Sequence, residues 1–519
     1  MSVTQTDSLY WDTYDREIWS NPYPIYKRMR EEMPLYYNDE HDFYAVSRFE
    51  DVDAGLKDKE TFSSARGGIL EIIKANAEFP DSMFIFKDPP VHTAYRGLLQ
   101  RVITPKRMNA LEQQVRDFCA ASLDPLVGTG ELDFIADLGA QMPMRVIGML
   151  LGIPEEDQAT VRQWADNALH AEAGKPMAYD SANFSGEAFE HYIEWRVKNP
   201  SDDLMTDLLN TEFKDPQGVV RKLTRDEILA IVNMVAGAGN ETTARLIGWT
   251  GKVLSEHPDQ RKLLIERPDL IPRAIEELVR YEPPGQAIAR YVTRDVEVRG
   301  QTVPKGSVMM MVVGAANRDD AMFDNGDSFN VERAPKRHLG FGYGIHVCIG
   351  APLARLEGRV ALEEVLKRFP EWEVDYENAS LSETTTVRGW DSMPTFTEPG
   401  RRPTRPKPKK PEPEAAPTAE PVSLDGEWDV TLKTPAGAES TVLVLDTSGG
   451  GLTGTQTGRG TTSEILNASF DGKTVYWMNK VTKPMKLKVE FTGTIDGNTI
   501  TGKAKAGFMG KFPFTAVKR

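Results

Sequence analysis

The sequence is poor in cysteine, with Cys119 and Cys348 the only two among 519 residues. Two thiols cannot build a disulfide framework, and their scarcity points to a reducing compartment. Long apolar runs are also missing: no stretch approaches the roughly 18 uninterrupted apolar residues of a membrane span. The N-terminal MSVTQTDS lacks the basic region and apolar run of a signal peptide. A soluble, cytoplasmic chain with no membrane span is therefore expected. Positive charge is in deficit, the net charge being −15, which argues against a nucleic-acid partner.

The length favours more than one domain, and 40% hydrophobic residues are ample for a sizeable core. The acid is unevenly spread. Residues 401–422 carry six Lys/Arg against three Glu and residues 423–519 carry 12 Lys/Arg against nine Asp/Glu, leaving −21 on residues 1–400. The composition also breaks at Arg401, where RRPTRPKPKKPEPE reads as a semi-extended, charged linker. Three segments follow: a domain over 1–400, a proline-rich linker over 401–421 and a third segment over 422–519. The last reads as all-β, with eight short alternating runs (Trp428–Leu432, Val442–Leu445, Leu452–Thr457, Ile465–Phe470, Val475–Asn479, Leu487–Phe491, Thr499–Lys503 and Phe512–Val517) between Gly- and Asp-rich turns. That pattern predicts a small closed up-and-down barrel, distantly similar to lipocalin-like domains.

The first 400 residues read as mainly α with small β sheets. Helices are expected at Ile25–Glu32, Phe49–Leu56, Val115–Val127, Leu138–Leu151, Glu155–Ala171, Gly186–Lys198 and Asp202–Glu212, with a hairpin over Pro34–Val46. Ser64–Phe86 is apolar without periodicity (Ile69, Ile72, Phe79, Met83, Phe84 and Phe86 among others), as expected of a loop that lines a greasy cavity or packs on the core. Thr224-Arg225-Asp226-Glu227 is a capping box opening a helix of about 30 residues. Ala238-Gly239-Asn240-Glu241-Thr242-Thr243 stands in its middle, where an acid beside a hydroxyl is costly without a purpose. A helix near Arg273–Tyr281 places Glu277 and Arg280 on one face.

The chain is organised around Phe341-Gly342-Tyr343-Gly344-Ile345-His346-Val347-Cys348-Ile349-Gly350, which runs straight into an apolar helix. A lone cysteine is usually a small buried hydrophobe. Here the glycines allow close approach to something flat, and the helix N-terminus is expected to favour a thiolate, which needs a cation to hold.

The pattern F-G-x-G-x-H-x-C-x-G resembles the haem-ligand loop of the cytochrome P-450 superfamily at its six fixed positions. Three further stretches are similar to that family: Asp88-Pro89-Pro90-Val91-His92-Thr93-Ala94-Tyr95-Arg96, the Ala238–Thr242 segment and Glu277-Leu278-Val279-Arg280. The likeness covers residues ~10–400 and not the C-terminal part. It implies a haem-thiolate monooxygenase containing haem b (iron protoporphyrin IX), with Cys348 as axial ligand and Phe341, Gly342 and Gly350 against the haem. It further implies that His92, Arg96, Arg290 and His346 hold the propionates. Glu241 and Thr242 would relay protons to bound O2, and Glu277 with Arg280 would hold the core beside the haem. The family often places an arginine where Ser328 stands here, leaving Arg333 as the substitute third member of that network. Phe84, Phe86, Met234, Val235, Ala238, Ala287, Ile288 and Trp390 would face an apolar substrate of steroid, terpenoid or fatty-acyl type, with Ala289 beside them.

Electrons must then come from outside, since a fused iron–sulfur module needs about four cysteines and the C-terminal part has none. Nor does that part carry a G-x-G-x-x-G after a strand. A ferredoxin and its reductase, fed by NAD(P)H, are implied. A peroxide-driven peroxygenase and a non-enzymatic haem sensor or carrier are the other readings. For the C-terminal domain the choice lies between a binding module, favoured if Tyr476-Trp477-Met478 is exposed, and a stabilising appendage.

Overall fold

The computed structural model describes residues 9–158, 161–162, 175–177, 186, 189–334 and 337–398 and, further on, 424–434, 437–447, 452–458, 461–470, 474–481, 487–506 and 511–519. The chain forms two compact units, Met1–Thr404 and Arg405–Arg519. The linker expected over 401–421 lies outside the described residues, as does most of the helix expected over Glu155–Ala171.

The first unit is built around one helix, Arg225–Glu256, of 32 residues. The Glu227 N–H donates to Thr224 Oγ1 while the Thr224 N–H donates to Glu227, so the expected capping box is formed. A helix that long must be covered on most sides, and its buried residues extend from Ile228 to Leu254. Small residues let its neighbours close in: a Cβ on Gly251 would lie 2.6 Å from the Phe134 ring. Met142–Leu151 and Ala351–Arg368 pack against it, and Ile271–Tyr281 lies beside the latter.

A five-stranded sheet flanks this bundle in the order Leu35–Asn38, Phe43–Val46, Val308–Met311, Ile288–Val292, Phe62–Ser63. The expected hairpin over Pro34–Val46 is its first antiparallel pair, Leu35 facing Val46. Sequence and structure differ locally. Ser64–Phe86 is not irregular throughout, since Leu70–Lys74 is helical and Phe84–Phe86 is a 3-10 turn. The helix expected over Leu138–Leu151 is a π-type turn, Phe134–Gly139, followed by Met142–Leu151. Among the described residues Phe134–Leu151 is long and apolar enough to cross a membrane, but 72% of it is buried inside the fold, as a core helix would be.

Among the described residues the second unit is a single antiparallel sheet of nine strands rather than eight. In chain order they are Gly426–Thr434, Gly437–Asp446, Thr453–Gly458, Thr461–Glu464, Leu466–Phe470, Thr474–Val481, Leu487–Asp496, Thr499–Ala506 and Lys511–Lys518. The first pairs with the last, Trp428 facing Lys518. The unexpected strand, Thr461–Glu464, pairs with Thr453–Gly458, and the chain crosses at Ile465 to pair Leu466 with Met478. Trp428, Trp477, Phe491 and Phe514 fill the interior, Trp477 stacking on Phe491 at 4.7 Å. Trp477 is fully buried and Met478 nearly so, so the exposed aromatic cluster that would favour a binding module is not present there.

Candidate active site

The cysteine loop turns at Gly342 (φ +70°) and Gly344 (φ +72°), a backbone region that L side chains rarely adopt. Gly344 also runs against the main chain, where a Cβ would meet the Leu56 carbonyl at 2.7 Å. The Cys348 N–H donates to the Phe341 carbonyl at 2.8 Å, pinning the loop. The Phe341 ring lies 4.5 Å from the Arg355 guanidinium and 5.8 Å from the His338 ring. Cys348 is accessible to solvent although protein surrounds it closely. Burial pushes its thiol up, against the opposing pull of the Gly350 and Ala351 N–H groups, Arg96 and Arg355. The expectation that the helix N-terminus by itself favours a thiolate is corrected: desolvation outweighs those donors, and a bound cation is needed to keep the sulfur charged.

Four basic side chains converge beside this loop. His92 and His346 have ring centroids 4.3 Å apart, and Arg96 Nη2 donates to the Val347 carbonyl at 2.6 Å. Burial, then the Arg96 charge, brings His92 down to about 4. Burial, then Arg290, His92 and Arg96, brings His346 down to about 3. Arg290 is lowered by burial to about 10, and Arg96 is lowered for the same reason. Neither ring nitrogen of His92 nor His346 Nε2 makes a hydrogen bond of good geometry. Arg290 Nη1 donates only to the neighbouring Ala289 carbonyl. None of the four forms an ion pair among the described residues. Asp88, the nearby carboxylate, is bonded to Ser63 and Ser64. A desolvated guanidinium without an anion, and a buried ring nitrogen without a hydrogen bond, are costly. A flat dianion carrying a metal cation towards the cysteine, as haem does, would satisfy every one of these groups. The residues fit the cofactor.

The other expected groups lie on the central helix. Glu241 is buried and Thr242 exposed, the Thr242 hydroxyl donating to the Ala238 carbonyl at 2.9 Å. Arg245, one turn on, donates to Glu241 Oε1 at 3.2 Å. Phe84 is fully buried in the main helical core, whereas Phe86 joins Ile72, Phe79, Met83 and Met177 in a separate apolar cluster. Met234 touches both, and Val235 is buried in the main core. Ala287 packs with Ala289 against the cluster of N-terminal aromatics, while Ile288 lies with Leu35 and Val46. Ala289 is 1% exposed in that cluster. Trp390 is half-buried against Trp249, ring centroids 5.7 Å apart. Glu277 and Arg280 are fully buried, Arg280 gripping the carboxylate at 2.7 and 2.8 Å. Arg333 Nε adds a third contact to Glu277 at 3.0 Å, and Ser328 contributes only its carbonyl.

Sequence reasoning passed over four side chains. Arg245 was legible from its i, i+4 spacing to Glu241. Arg355 and His338, around Phe341, are tied to one carboxylate, Glu276, which no local pattern links to the loop. Glu357, on the helix after Cys348, is a fully buried acid whose oxygens make no hydrogen bond of good geometry.

A helical unit that gathers four basic side chains beside an accessible cysteine, with an acid and a hydroxyl on its longest helix, has the make-up of a haem-thiolate protein. The cytochrome P450 family model matches residues 186–389. Cytochrome P450 123 of Mycobacterium tuberculosis is 36% identical over 393 residues, covering 74% of this chain and 96% of that protein. The vitamin D(3) 25-hydroxylase of Pseudonocardia autotrophica is 33% identical over 400 residues, covering 76% of this chain and 98% of that protein. Among solved structures, CYP109E1 from Bacillus megaterium in complex with testosterone superposes with a TM-score of 0.65 at 29% identity, over 74% of this chain and 99% of that one. The chain belongs to the cytochrome P450 family, whose members are haem-containing monooxygenases.

Proposed function

We propose that this enzyme inserts one oxygen atom from O2 into an unactivated C–H bond of an apolar small molecule, with electrons passed from NAD(P)H through an external ferredoxin and its reductase. The observation that carries the reading is the set of basic side chains His92, Arg96, Arg290 and His346, without an ion pair among the described residues, beside the accessible Cys348. Haem b bound there would supply the iron chemistry that activates O2, with the Cys348 sulfur holding it. His92, Arg96, Arg290 and His346 would neutralise its propionates. Glu241 would hold a proton at its carboxylate and Thr242 Oγ1 would pass it on towards the oxygen. Ile72, Phe79, Met83, Phe86, Met177 and Met234 would exclude water from that transfer and hold the substrate by its apolar surface. Relatives named for vitamin D(3), bound to testosterone, or bound to a carrier protein bearing hexadec-9Z-enoic acid support a substrate of steroid or fatty-acyl type. The catalytic unit spans residues 1–400 in this reading, and the enzyme works in the cytoplasm.

The test is optical. The reduced protein with carbon monoxide should show the long-wavelength Soret band of thiolate ligation in the parent and in Cys119→Ser, and lose it in Cys348→Ser. Survival of that band in Cys348→Ser overturns the assignment. Soret shifts across steroids, terpenes and fatty acids then identify the substrate class. Comparable turnover on hydrogen peroxide alone would replace the O2-dependent reading with a peroxygenase.

A further inference from the structure

Glu276 and Glu277 are neighbours on Ile271–Tyr281 and so leave the helix in different directions. Glu277 turns into the core, whereas Glu276 turns to the cysteine loop. Glu276 Oε1 accepts from Arg355 Nε at 2.6 Å and Oε2 from Arg355 Nη2 at 3.1 Å, the two-point grip of a guanidinium on a carboxylate. Oε2 also meets His338 Nε2 at 3.1 Å. The other ring nitrogen of His338, Nδ1, accepts from the Gly340 N–H at 3.1 Å, which leaves Nε2 as the donor to Glu276. No side chain fits at Gly340, where a Cβ would meet the Val279 carbonyl at 2.5 Å. Burial pushes the Glu276 carboxyl up, but the bonds from His338 and Arg355 outweigh it and bring it down to about 2. Glu276 is therefore an anion, and Arg355 is its cation. Arg355 stands seven residues past Cys348 on Ala351–Arg368. Its guanidinium lies 4.5 Å from the centre of the Phe341 ring, and the Phe341 carbonyl takes the Cys348 N–H at 2.8 Å. The Arg355 charge also acts on the Cys348 sulfur. Arg96 acts on the sulfur too, but it belongs to the set that would hold the propionates. A planar fork held by a carboxylate and resting on a ring cannot turn away without losing both.

We propose that Glu276 is a positioning residue that holds the Arg355 cation on Phe341 and offsets its field at Cys348, so that this ion pair sets how readily the site accepts an electron. The inference rests on the reading of Cys348 as the haem ligand. An added electron is favoured by nearby positive charge and opposed by nearby negative charge. Removing the Glu276 charge alone should favour the reduced haem, and removing the Arg355 charge alone should favour the oxidised one. Removing both should restore the balance.

The test needs no turnover. In substrate-free holoenzyme the ferrous-to-ferric ratio is read from the Soret band at a fixed poise, against a redox dye of known potential. Ionic strength is kept low, where the 44% exposed Arg355 side chain is least screened. Glu276→Gln should raise the ratio by about threefold or more, and Arg355→Gln should lower it by a similar factor. Glu276→Gln/Arg355→Gln should lie closer to the parent than either single variant. A merely structural clamp would move both single variants the same way and the double variant further. Shifts of one sign in the two single variants, a double variant no closer to the parent, or a change short of about threefold in either single variant overturns the proposal. The carbon monoxide spectrum separates this from the reading beneath it. A parent without the long-wavelength Soret band sinks the haem-thiolate reading as well, whereas a parent that has the band but no such charge dependence sinks the proposal alone. Should Glu276→Gln fail to load haem, Arg355→Gln against Arg355→Lys decides: the first should lower the ratio and the second, which keeps the charge, should stay nearer the parent. Equal ratios in those two variants overturn the proposal.

Discussion

At the scale of single residues, Thr242 and Glu357 make the sharpest predictions. Thr242 keeps its hydroxyl on the Ala238 carbonyl while staying accessible. Thr242→Ala should therefore leave substrate-induced Soret shifts intact and divert NAD(P)H to peroxide or excess water. Product per NAD(P)H at the parent level would show that the hydroxyl has no part in proton delivery. Glu357 sits fully buried, and burial raises its carboxyl well above the ordinary value of 4.5, against a smaller opposing pull from the Thr243 hydroxyl. The folded protein then keeps a proton that the unfolded chain releases. Stability should accordingly fall as pH climbs from about 4.5 towards the raised folded value, by at most about 1.4 kcal/mol per pH unit. Glu357→Gln should flatten that slope in urea titrations run between pH 5 and pH 8. Equal slopes in parent and variant would mean that Glu357 is ionised in the folded state.

At the scale of elements, the buried pair on Ile271–Tyr281 is the clearest case. Arg280 ties Glu277 to the carbonyls of Asn317, Gly326 and Ser328, so one side chain fixes the chain that leads into the cysteine loop. Arg280→Ala leaves Glu277 with Arg333 and the Asn330 N–H, takes the donor from three carbonyls, and should cost about 3–5 kcal/mol. Arg333→Ala leaves Glu277 with Arg280 and should cost less, about 1.5–3 kcal/mol. Both are read from equilibrium unfolding followed by tryptophan fluorescence, and equal losses would refute the ranking. The same scale shows what could be read in advance. The capping box at Thr224 and the glycines around Cys348 are local chemistry at fixed spacing, so the sequence carries them openly. Leu70–Lys74 escaped because its apolar residues are explained by the neighbours it folds against, not by a period along the chain. Thr461–Glu464 escaped because TTSE holds no apolar residue and is almost wholly exposed. Cys348 was misread in one respect: donors at a helix start are visible in sequence, whereas the desolvation that opposes them belongs to the folded surroundings.

At the scale of the whole molecule, every residue given a role precedes Gly400 and the β unit has a filled aromatic interior. A protein ending at Pro399 is expected to fold, bind haem and turn over with the same ferredoxin. Turnover per haem should stay within about threefold of the full chain, under ~1 kcal/mol in barrier. Loss of turnover with haem intact would make the β unit part of the catalytic apparatus; loss of substrate affinity alone would make it a capture module. The pairing of its first strand, Gly426–Thr434, with its last, Lys511–Lys518, carries a further consequence. On the ribosome the helical unit has all its described residues by Glu398, but the sheet cannot join its ends until about 120 more residues have been added, roughly 6–24 s at ordinary elongation rates. From Thr434 onward, for about 85 residues or roughly 4–17 s, the first strand offers an open edge to any passing chain. Crowded expression at low elongation rates should therefore endanger the small β unit and spare the large helical one.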